Sequence, residues 1–164
     1  NPKRAGVLVH LFDGVDGLEV LLMKRPVYDG THSGQISFPG GKFEEHDQTL
    51  ENTAYREAFE EVGLRKEELL PIGVLSWLYI PPSNFYVEPY VTYSPALPEL
   101  VLEEKEVSYT LSVPLTKICD RSIVRDAEVM TKYGPSRVPA FHWQGEVIWG
   151  ATAMILGELS ALFS

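Results

Sequence analysis

The sequence has little of what marks several common classes of protein. A single cysteine, Cys119, excludes an internal disulfide and any zinc site built on cysteines, and this cysteine usage is typical of a cytoplasmic protein. No apolar run approaches the roughly 20 residues that a membrane-spanning helix needs. The formal net charge of −9 argues against a nucleic-acid surface, because phosphate backbones are bound by clustered lysine and arginine. We therefore expect a cytoplasmic protein that binds neither nucleic acid nor membrane.

Two familiar motifs of nucleotide binding and nucleophilic catalysis are also missing. The Pro-Gly-Gly turn at 39–41, which Lys42 follows, is not a P-loop, because Ile36 stands five residues before Gly41 and Phe43 follows the lysine. No Gly-x-Ser-x-Gly elbow occurs. The four histidines lack metal-ligand spacing, and His10 is predicted to be a packed core residue because it lies in an apolar run. These absences exclude a P-loop nucleoside triphosphatase and a serine hydrolase with a nucleophile elbow.

The composition is that of an ordinary globular protein, with 45% hydrophobic and 23% charged residues. The length of 164 residues predicts a single domain spanning 1–164. Asp47 is the expected N-cap of the first helix and Gly63 its C-terminal cap. Hydrophobic patterns and turn residues predict the following elements: strands at 5–12, 18–23, 35–38, 72–79, 85–93, 108–113, 122–132 and 136–143, and helices at 48–62 and 151–163. This order favours an α/β protein with a mixed sheet covered on two faces.

Three glutamates lie on one side of the first predicted helix. With ~100° per residue and Leu50 at zero, Glu61 falls near ~20°, Glu57 near ~340° and Glu60 near ~280°. Glu61 thus projects at the edge of the face that should be buried, where a carboxylate loses hydration. Like charges three and four residues apart also repel each other. A hard divalent cation accounts for both features, and the alternative is a solvated helix with an Arg56–Glu60 ion pair.

The segment from Gly41 to Leu64 resembles the Nudix box, Gly-x5-Glu-x7-Arg-Glu-U-x-Glu-Glu-x-Gly-U, in which U is apolar. The residues Arg-Glu-Ala-Phe-Glu-Glu-Val-Gly-Leu at 56–64 fit every closing position. Asp47 stands at the first glutamate position, one residue further from Arg56 than the pattern has it, so no role is carried over to Asp47. The resemblance implies a Nudix-type α/β/α sandwich and Mg²⁺- or Mn²⁺-dependent hydrolysis of a diphosphate bond joined to a nucleoside.

The resemblance also implies roles for individual residues. Glu57 and Glu61 would be metal ligands, Glu60 a further ligand or the general base, and the Gly40 carbonyl would complete the set. Arg56 would orient the glutamates through charge-assisted hydrogen bonds. Alternative bases come from a later loop: Glu103, Glu104 or Glu106.

Three further segments look like the coenzyme A pyrophosphatase branch of that family. They are Leu-Leu-Met-Lys-Arg at 21–25, Gly-Gln-Ile-Ser-Phe-Pro-Gly-Gly at 34–41 and Trp-Gly-Ala-Thr at 149–152. The arginines usual between the first two are absent. This likeness implies cleavage of coenzyme A or its thioesters into 3′,5′-ADP and 4′-phosphopantetheine. The candidate substrate contacts are Lys24, Arg25, His32, Gln35 and Phe85.

Several alternatives stay open at this point. Arg25 could be a solvent-exposed charge at a strand end, and Phe85 could belong to the core. The same chemistry could act on ADP-ribose, a dinucleotide or a dinucleoside polyphosphate, or the domain could bind a nucleotide without catalysis. The expected partner is a small nucleotide, and a homodimer is left open.

Overall fold

A computed structural model describes residues 1–29 and 33–164. The strands of the described part are β1 Lys3–Gly14, β2 Gly17–Lys24, β3 Ile36–Ser37, β4 Gly40–Lys42, β5 Leu70–Val74, β6 Leu78–Ile80, β7 Phe85–Ser94, β8 Tyr109–Pro114, β9 Val124–Thr131, β10 Gly134–Trp143 and β11 Glu146–Ile148. The helices are α1 Leu50–Val62, α2 Leu115–Cys119 and α3 Gly150–Phe163, with 3-10 turns at Glu45–Asp47 and Lys66–Glu68.

Strand β1 is the centre of a large mixed sheet. It pairs antiparallel with β2 and β4 and parallel with β7, while β5 and β6 pair with the far side of β7. Most of β1 is buried, as expected for a strand covered on both faces. The predicted α/β class with a mixed sheet is therefore confirmed.

Successive residues of the central strands point to two different helical layers. Leu8 of β1 belongs to a cluster that contains Ala54 and Ala58 of α1, whereas Val9 belongs to one that contains Leu156 of α3. Because neighbouring side chains of a strand alternate between its faces, α1 and α3 cover opposite faces of the sheet. The result is the predicted α/β/α sandwich.

A second sheet is built from the three antiparallel strands β9, β10 and β11. Strand β11 and helix α2 were not predicted, because segments of three and five residues are too short to show a periodic pattern. None of the helices in the described ranges is long and apolar enough to cross a membrane.

The predictions for three local structures were wrong in detail. Thr49, not Asp47, is the N-cap of α1, and its hydroxyl accepts a hydrogen bond from the Asn52 amide. The last two residues of the predicted Pro-Gly-Gly turn at 39–41 belong to the short strand β4, and the predicted strand at 72–79 is divided into β5 and β6. The C-terminal cap is confirmed, because Gly63 has a φ of 77°, which suits glycine.

Candidate active site

Glu61 is the most deeply buried carboxylate of helix α1, with 1% of its surface exposed. Its Oε1 accepts a hydrogen bond of 2.8 Å from the Gly40 amide. Its Oε2 lies 3.1 Å from Nη1 of Arg25, which follows the end of β2. Helix α1 and the β2 and β4 regions therefore converge on one side chain.

Two glycines of β4 allow this convergence. A Cβ atom at Gly40 would lie 2.5 Å from the Gly6 carbonyl oxygen, and one at Gly41 would lie 2.5 Å from the Glu57 carboxyl carbon. Any larger residue would therefore push β4 away from β1 or push the Glu57 carboxylate out of place. The glycine pair sets the spacing between the strand and the acidic face of the helix.

Three carboxylates meet beside this strand. One oxygen from each of Glu57, Glu61 and Glu106 lies within 4.8 Å of the other two, and we call these residues the carboxylate trio. Glu61 is buried, Glu57 is half-buried and Glu106 is exposed. The trio thus forms a site that opens from the core toward solvent.

The last turn of α1 brings Glu106 to this place. The Glu103 amide donates a 2.9 Å hydrogen bond to the Glu61 carbonyl, and the Val101 amide donates one of 3.0 Å to the Val62 carbonyl. Carbonyls at the end of a helix lack partners inside the helix, so they are free to hold a following loop. The loop that carries Glu106 is fixed to the same turn that carries Glu61.

The trio is poorly neutralised by protein groups. Burial raises the pKa of Glu61 to about 7, against the lowering effects of Arg25 and of the Gly40 amide, and the charges of Glu57 and Glu106 raise it further. Burial also raises the pKa of Glu57. Oxygen ligands with surplus negative charge, partly open to water, are what a hard divalent cation such as Mg²⁺ requires. The donor set therefore fits the predicted metal.

Arg56 connects the trio to a second buried carboxylate. Its Nε and Nη2 bind both oxygens of Asp47 at 2.6 and 2.9 Å, and its Nη1 lies 3.0 Å from Glu57 Oε1. Asp47 also accepts hydrogen bonds from the Thr53 hydroxyl and the Glu44 amide. The Arg56 guanidinium holds the pKa of Asp47 well below its usual range. Arg56 is thereby fixed in position beside Glu57.

The other predicted site residues have different surroundings. Glu60 lies outside the trio, with its side chain 53% exposed and 3.3 Å from Arg56. Lys24 pairs with Glu146 at 2.9 Å, and that carboxylate also accepts a hydrogen bond from Tyr109.

Three further candidates lie elsewhere or outside the described ranges. The Gln35 carbonyl accepts a hydrogen bond from the Arg25 amide. Phe85 begins β7, which β1 separates from β4, and the Lys3 ammonium lies over its ring. His32 is not among the described residues.

Sequence reasoning missed two contacts that shape the site. No role in the site was predicted for Asp47, only that of a helix cap, although its place at the first acidic position of the box was a usable signal. Arg25 was considered as a substrate contact or a solvent charge, but its side chain pairs with Glu61. Nothing in the spacing of residues 25 and 61 indicates that pair, because it depends on how β2 packs beside α1.

Comparisons with known proteins agree on one family. Residues 2–128 match the family model of the NUDIX domain. The chain is 35% identical over 174 residues to Nudix hydrolase 22, chloroplastic, from Arabidopsis thaliana, covering 94% of this chain and 53% of that protein. It is 31% identical over 158 residues to the uncharacterized Nudix hydrolase NudL of Yersinia pestis, covering 96% and 78%. The chain thus spans about half the length of the Arabidopsis relative.

Solved structures share the fold at low sequence identity. The C. elegans Ap4A hydrolase matches with a TM-score of 0.65 and 15% identity over 98% of this chain and 97% of that one. A Nudix hydrolase from Alicyclobacillus acidocaldarius matches with a TM-score of 0.66 and 18% identity over 98% and 92%. The Nudix domain of Shewanella oneidensis NrtR, complexed with ADP ribose, matches with a TM-score of 0.54 and 17% identity over 73% and 77%.

Proposed function

The chain belongs to the Nudix family, and from this premise we propose that it is a metal-dependent hydrolase of nucleoside diphosphate derivatives. The observation that carries this proposal is the carboxylate trio of Glu57, Glu61 and Glu106, whose oxygens converge within 4.8 Å. Its only close cationic partners among the described residues are Arg25, at Glu61, and Arg56, at Glu57. Such a surplus of negative charge suits a cation more than it suits a structural ion-pair network.

In this proposal the trio would hold Mg²⁺ or Mn²⁺, with the Gly40 carbonyl as a further predicted ligand. The bound cation would neutralise the diphosphate and lower the pKa of a bound water. Arg56 keeps Glu57 in place, since Asp47 restricts its guanidinium to one orientation. Arg25 holds the second oxygen of Glu61 in the same way.

A general base takes the proton from the attacking water as the new phosphorus–oxygen bond forms and the bridging bond breaks. Glu60 remains the predicted base, and its exposed carboxylate is accessible to water. Glu106 is the alternative, because it is exposed and belongs to the trio. Separate Glu60→Gln and Glu106→Gln variants distinguish the two, since loss of the general base removes the fall in rate at acidic pH, whichever of the two residues it is.

For the substrate we propose coenzyme A or its thioesters. Support comes from the three family segments, two of which touch: the Thr152 hydroxyl donates a 3.0 Å hydrogen bond to the Ile36 carbonyl. One observation favours a second candidate. Lys24 and Arg25, which could bind the 3′-phosphate of coenzyme A, are paired with Glu146 and Glu61. A ligand without that phosphate, such as ADP-ribose or the Ap4A named for a structural neighbour, would not need them.

The test is to incubate the protein with Mg²⁺ and a panel of coenzyme A, acyl-coenzyme A, ADP-ribose, NADH and dinucleoside polyphosphates, and to identify products by chromatography. Release of 3′,5′-ADP from coenzyme A substrates is the expected result. Cleavage confined to the other compounds would replace the substrate but keep the chemistry. Binding of a nucleotide without any metal-dependent cleavage would contradict the hydrolase proposal and favour a non-catalytic module.

A further inference from the structure

Three polar side chains from three strands meet at the end of β2. The Lys24 ammonium donates to the Glu146 carboxylate at 2.9 Å, and the Tyr109 hydroxyl donates to the same carboxylate. Lys24 and Tyr109 are paired residues of β2 and β8, so their side chains lie on the same face of the main sheet. Glu146 begins β11, and its contacts therefore join the second sheet to the main one. We call Lys24, Tyr109 and Glu146 the lysine cluster.

The lysine cluster is next to the carboxylate trio, across the end of β2. Leu22 of that strand belongs to the apolar cluster that includes residues of α3, and alternate residues of a strand share a face. Lys24 therefore lies on the α3 face, while the next residue, Arg25, pairs with Glu61 on the α1 face. The Lys24 carbonyl also accepts a 2.8 Å hydrogen bond from the amide of Ser108, two residues after the third member of the trio. A ligand whose diphosphate lies at the trio thus reaches the lysine by crossing the end of one strand.

The Lys24 ammonium has donors left for a further anion. A lysine ammonium carries three N–H donors, and in the described part of the chain Glu146 is the one group that accepts a hydrogen bond from it. The Lys24 side chain is 23% exposed, so its remaining donors are open to solvent. The guanidinium of Arg56, by contrast, is enclosed by carboxylates and a carbonyl. Of these two cations, the lysine is the one that a phosphate group can approach.

Glu146 determines how strongly the lysine attracts that anion. Its charge offsets that of the ammonium and repels a phosphate monoester, which carries about −1.5 to −2 charges. The hairpin holds Glu146 in place, since Gln144 and Gly145 have φ values of 49° and 80°, which are typical of the tight two-residue turns between antiparallel strands. The Trp143 indole also donates a 2.9 Å hydrogen bond to the Ser112 carbonyl of β8. The compensating charge is therefore a fixed part of the site.

We propose that Lys24 binds a phosphate monoester of the substrate and that Glu146 limits this binding, so that Glu146 is a specificity-determining residue. The inference rests on the proposed function, because it places the diphosphate of the same ligand at the trio. In coenzyme A the phosphate monoester is the 3′-phosphate, and ADP-ribose has none. The balance of charge within the lysine cluster therefore decides how far the site favours one class of substrate over the other.

Calorimetric titration with 3′,5′-ADP and with 5′-AMP, both in Mg²⁺, tests the proposal. The two nucleotides differ only in the 3′-phosphate, and neither contains a diphosphate bond that could be cleaved. The quantity compared is the dissociation constant of 5′-AMP divided by that of 3′,5′-ADP. Glu146→Gln should raise this ratio about tenfold, because a repelling charge is removed while the amide oxygen still accepts from Tyr109. Adding Lys24→Met to Glu146→Gln should return the ratio to the wild-type value or below, whereas adding Lys24→Arg should keep most of the gain.

The matched control is Glu128→Gln, which removes an exposed charge from β9 of the same second sheet and should leave the ratio unchanged. General damage to the fold weakens both nucleotides alike, so it leaves the ratio unchanged too. An unaltered ratio in Glu146→Gln, a gain that persists without Lys24, an equal gain in Glu128→Gln, or no binding of either nucleotide overturns the inference. The hydrolysis assay is separate: cleavage of diphosphates without this binding pattern removes the inference alone, and the pattern without cleavage removes the proposed hydrolysis but keeps the phosphate contact.

Discussion

Asp47 lies in the 3-10 turn before helix α1 and Glu61 lies in the last turn of that helix. Both carboxylates are buried, and their environments differ sharply. Both are almost inaccessible, at 4% and 1% exposed. Asp47 receives two hydrogen bonds from Arg56 and one each from Thr53 and Glu44, and its pKa is well below the usual range. Glu61 receives one from Gly40 and one from Arg25, and its pKa is raised to about 7.

The difference shows that burial alone does not decide the state of a carboxylate. The number of donors and the sign of neighbouring charges decide whether the loss of hydration is compensated. The Asp47 region is complete within the protein, as a structural anchor should be. The charge of Glu61 is only partly compensated by Arg25 and Gly40, and it faces two further carboxylates, as a site for an external cation should.

The largest expected effect comes from a substitution in the Glu61 region. Glu61→Gln should lower Mg²⁺-dependent turnover at least about a thousandfold, because a ligand charge is lost where the reaction needs it. At pH 4.5, where the folded protein keeps Glu61 protonated, the metal-free variant should match the stability of wild type within about 1 kcal/mol, since an uncharged amide replaces an uncharged carboxyl. Turnover assays and chemical denaturation measure the two quantities. Near-normal turnover would remove Glu61 from the site.

Two further variants place this result in context. Glu57→Gln removes a second proposed ligand, and Glu51→Gln is the matched control, because it removes an exposed charge from the same helix. The first should lower metal affinity, and the second should leave both turnover and metal affinity unchanged. An equal loss in all three variants would point to a general effect of helix charge.

Substitution in the Asp47 region should lower the stability of the fold. Asp47→Asn removes the bidentate partner of Arg56 and should lower the free energy of unfolding by roughly 3 kcal/mol. Asp126→Asn breaks the exposed Asp126–Arg137 pair and should cost less than about 1 kcal/mol. Urea denaturation measures both. If the two variants were equally stable, Asp47 would not be the anchor described.

The pH dependence of stability should carry the sign of the Glu61 shift. Its folded pKa of about 7 lies above the reference value of 4.5, so the folded state binds the extra proton between these values. The stabilisation is complete below pH 4.5 and is lost as pH rises toward 7, up to about 3 kcal/mol. Saturating Mg²⁺ should abolish this trend, because the cation favours the charged carboxylate.

The difference in the free energy of unfolding between wild type and Glu61→Gln isolates the contribution of Glu61 to the pH dependence. Burial lowers the pKa of His10 to about 4, and His10 therefore destabilises the fold as pH falls from 6.5 toward 4. That opposing trend cancels in the difference, since both proteins carry His10. A difference that does not change between pH 4.5 and 7 would contradict the raised pKa of Glu61.

The smallest expected effect comes from a substitution that displaces one carboxylate of the trio without removing it. Gly41→Ala places a Cβ 2.5 Å from the Glu57 carboxyl carbon and should weaken Mn²⁺ binding by about tenfold, the scale of a disturbed ligand orientation. Gly157→Ala is the control, because a Cβ there meets nothing within 4 Å. Isothermal titration with Mn²⁺ should give the wild-type affinity for the control. Equal affinities in all three proteins would mean that Glu57 is not a ligand.

The long elements of the fold could be predicted because their patterns are strong. The strand that became β1 and the helix that became α1 each carry a continuous apolar face. The first residue of helix α1 could not be predicted, since Asp47 and Thr49 are both suitable caps and the choice depends on Gln48, whose φ is 68°. The exposed strand β5 is apolar in sequence like a core strand, so its place at the sheet edge was not visible.

The candidate site was predictable along the helix but not across the fold. The spacing of Glu57 and Glu61 follows from helix geometry alone. Glu106 was one of three loop candidates, and the structure brings it to the trio because the loop is bonded to the end of α1. The Arg25–Glu61 pair joins residues 36 positions apart and depends on tertiary packing. Contacts of this kind carry no local pattern.

Glu61 has a second function in the architecture, through its main chain. Its carbonyl receives the amide of Glu103 while its carboxylate receives the amide of Gly40. Fraying of the final helical turn would therefore release the Glu106 loop and move the Glu61 side chain in the same event. A half-assembled centre is thus disfavoured, and we expect the ligands to be gained or lost together, as a single cooperative unit that hydrogen exchange at the Glu103 amide would report.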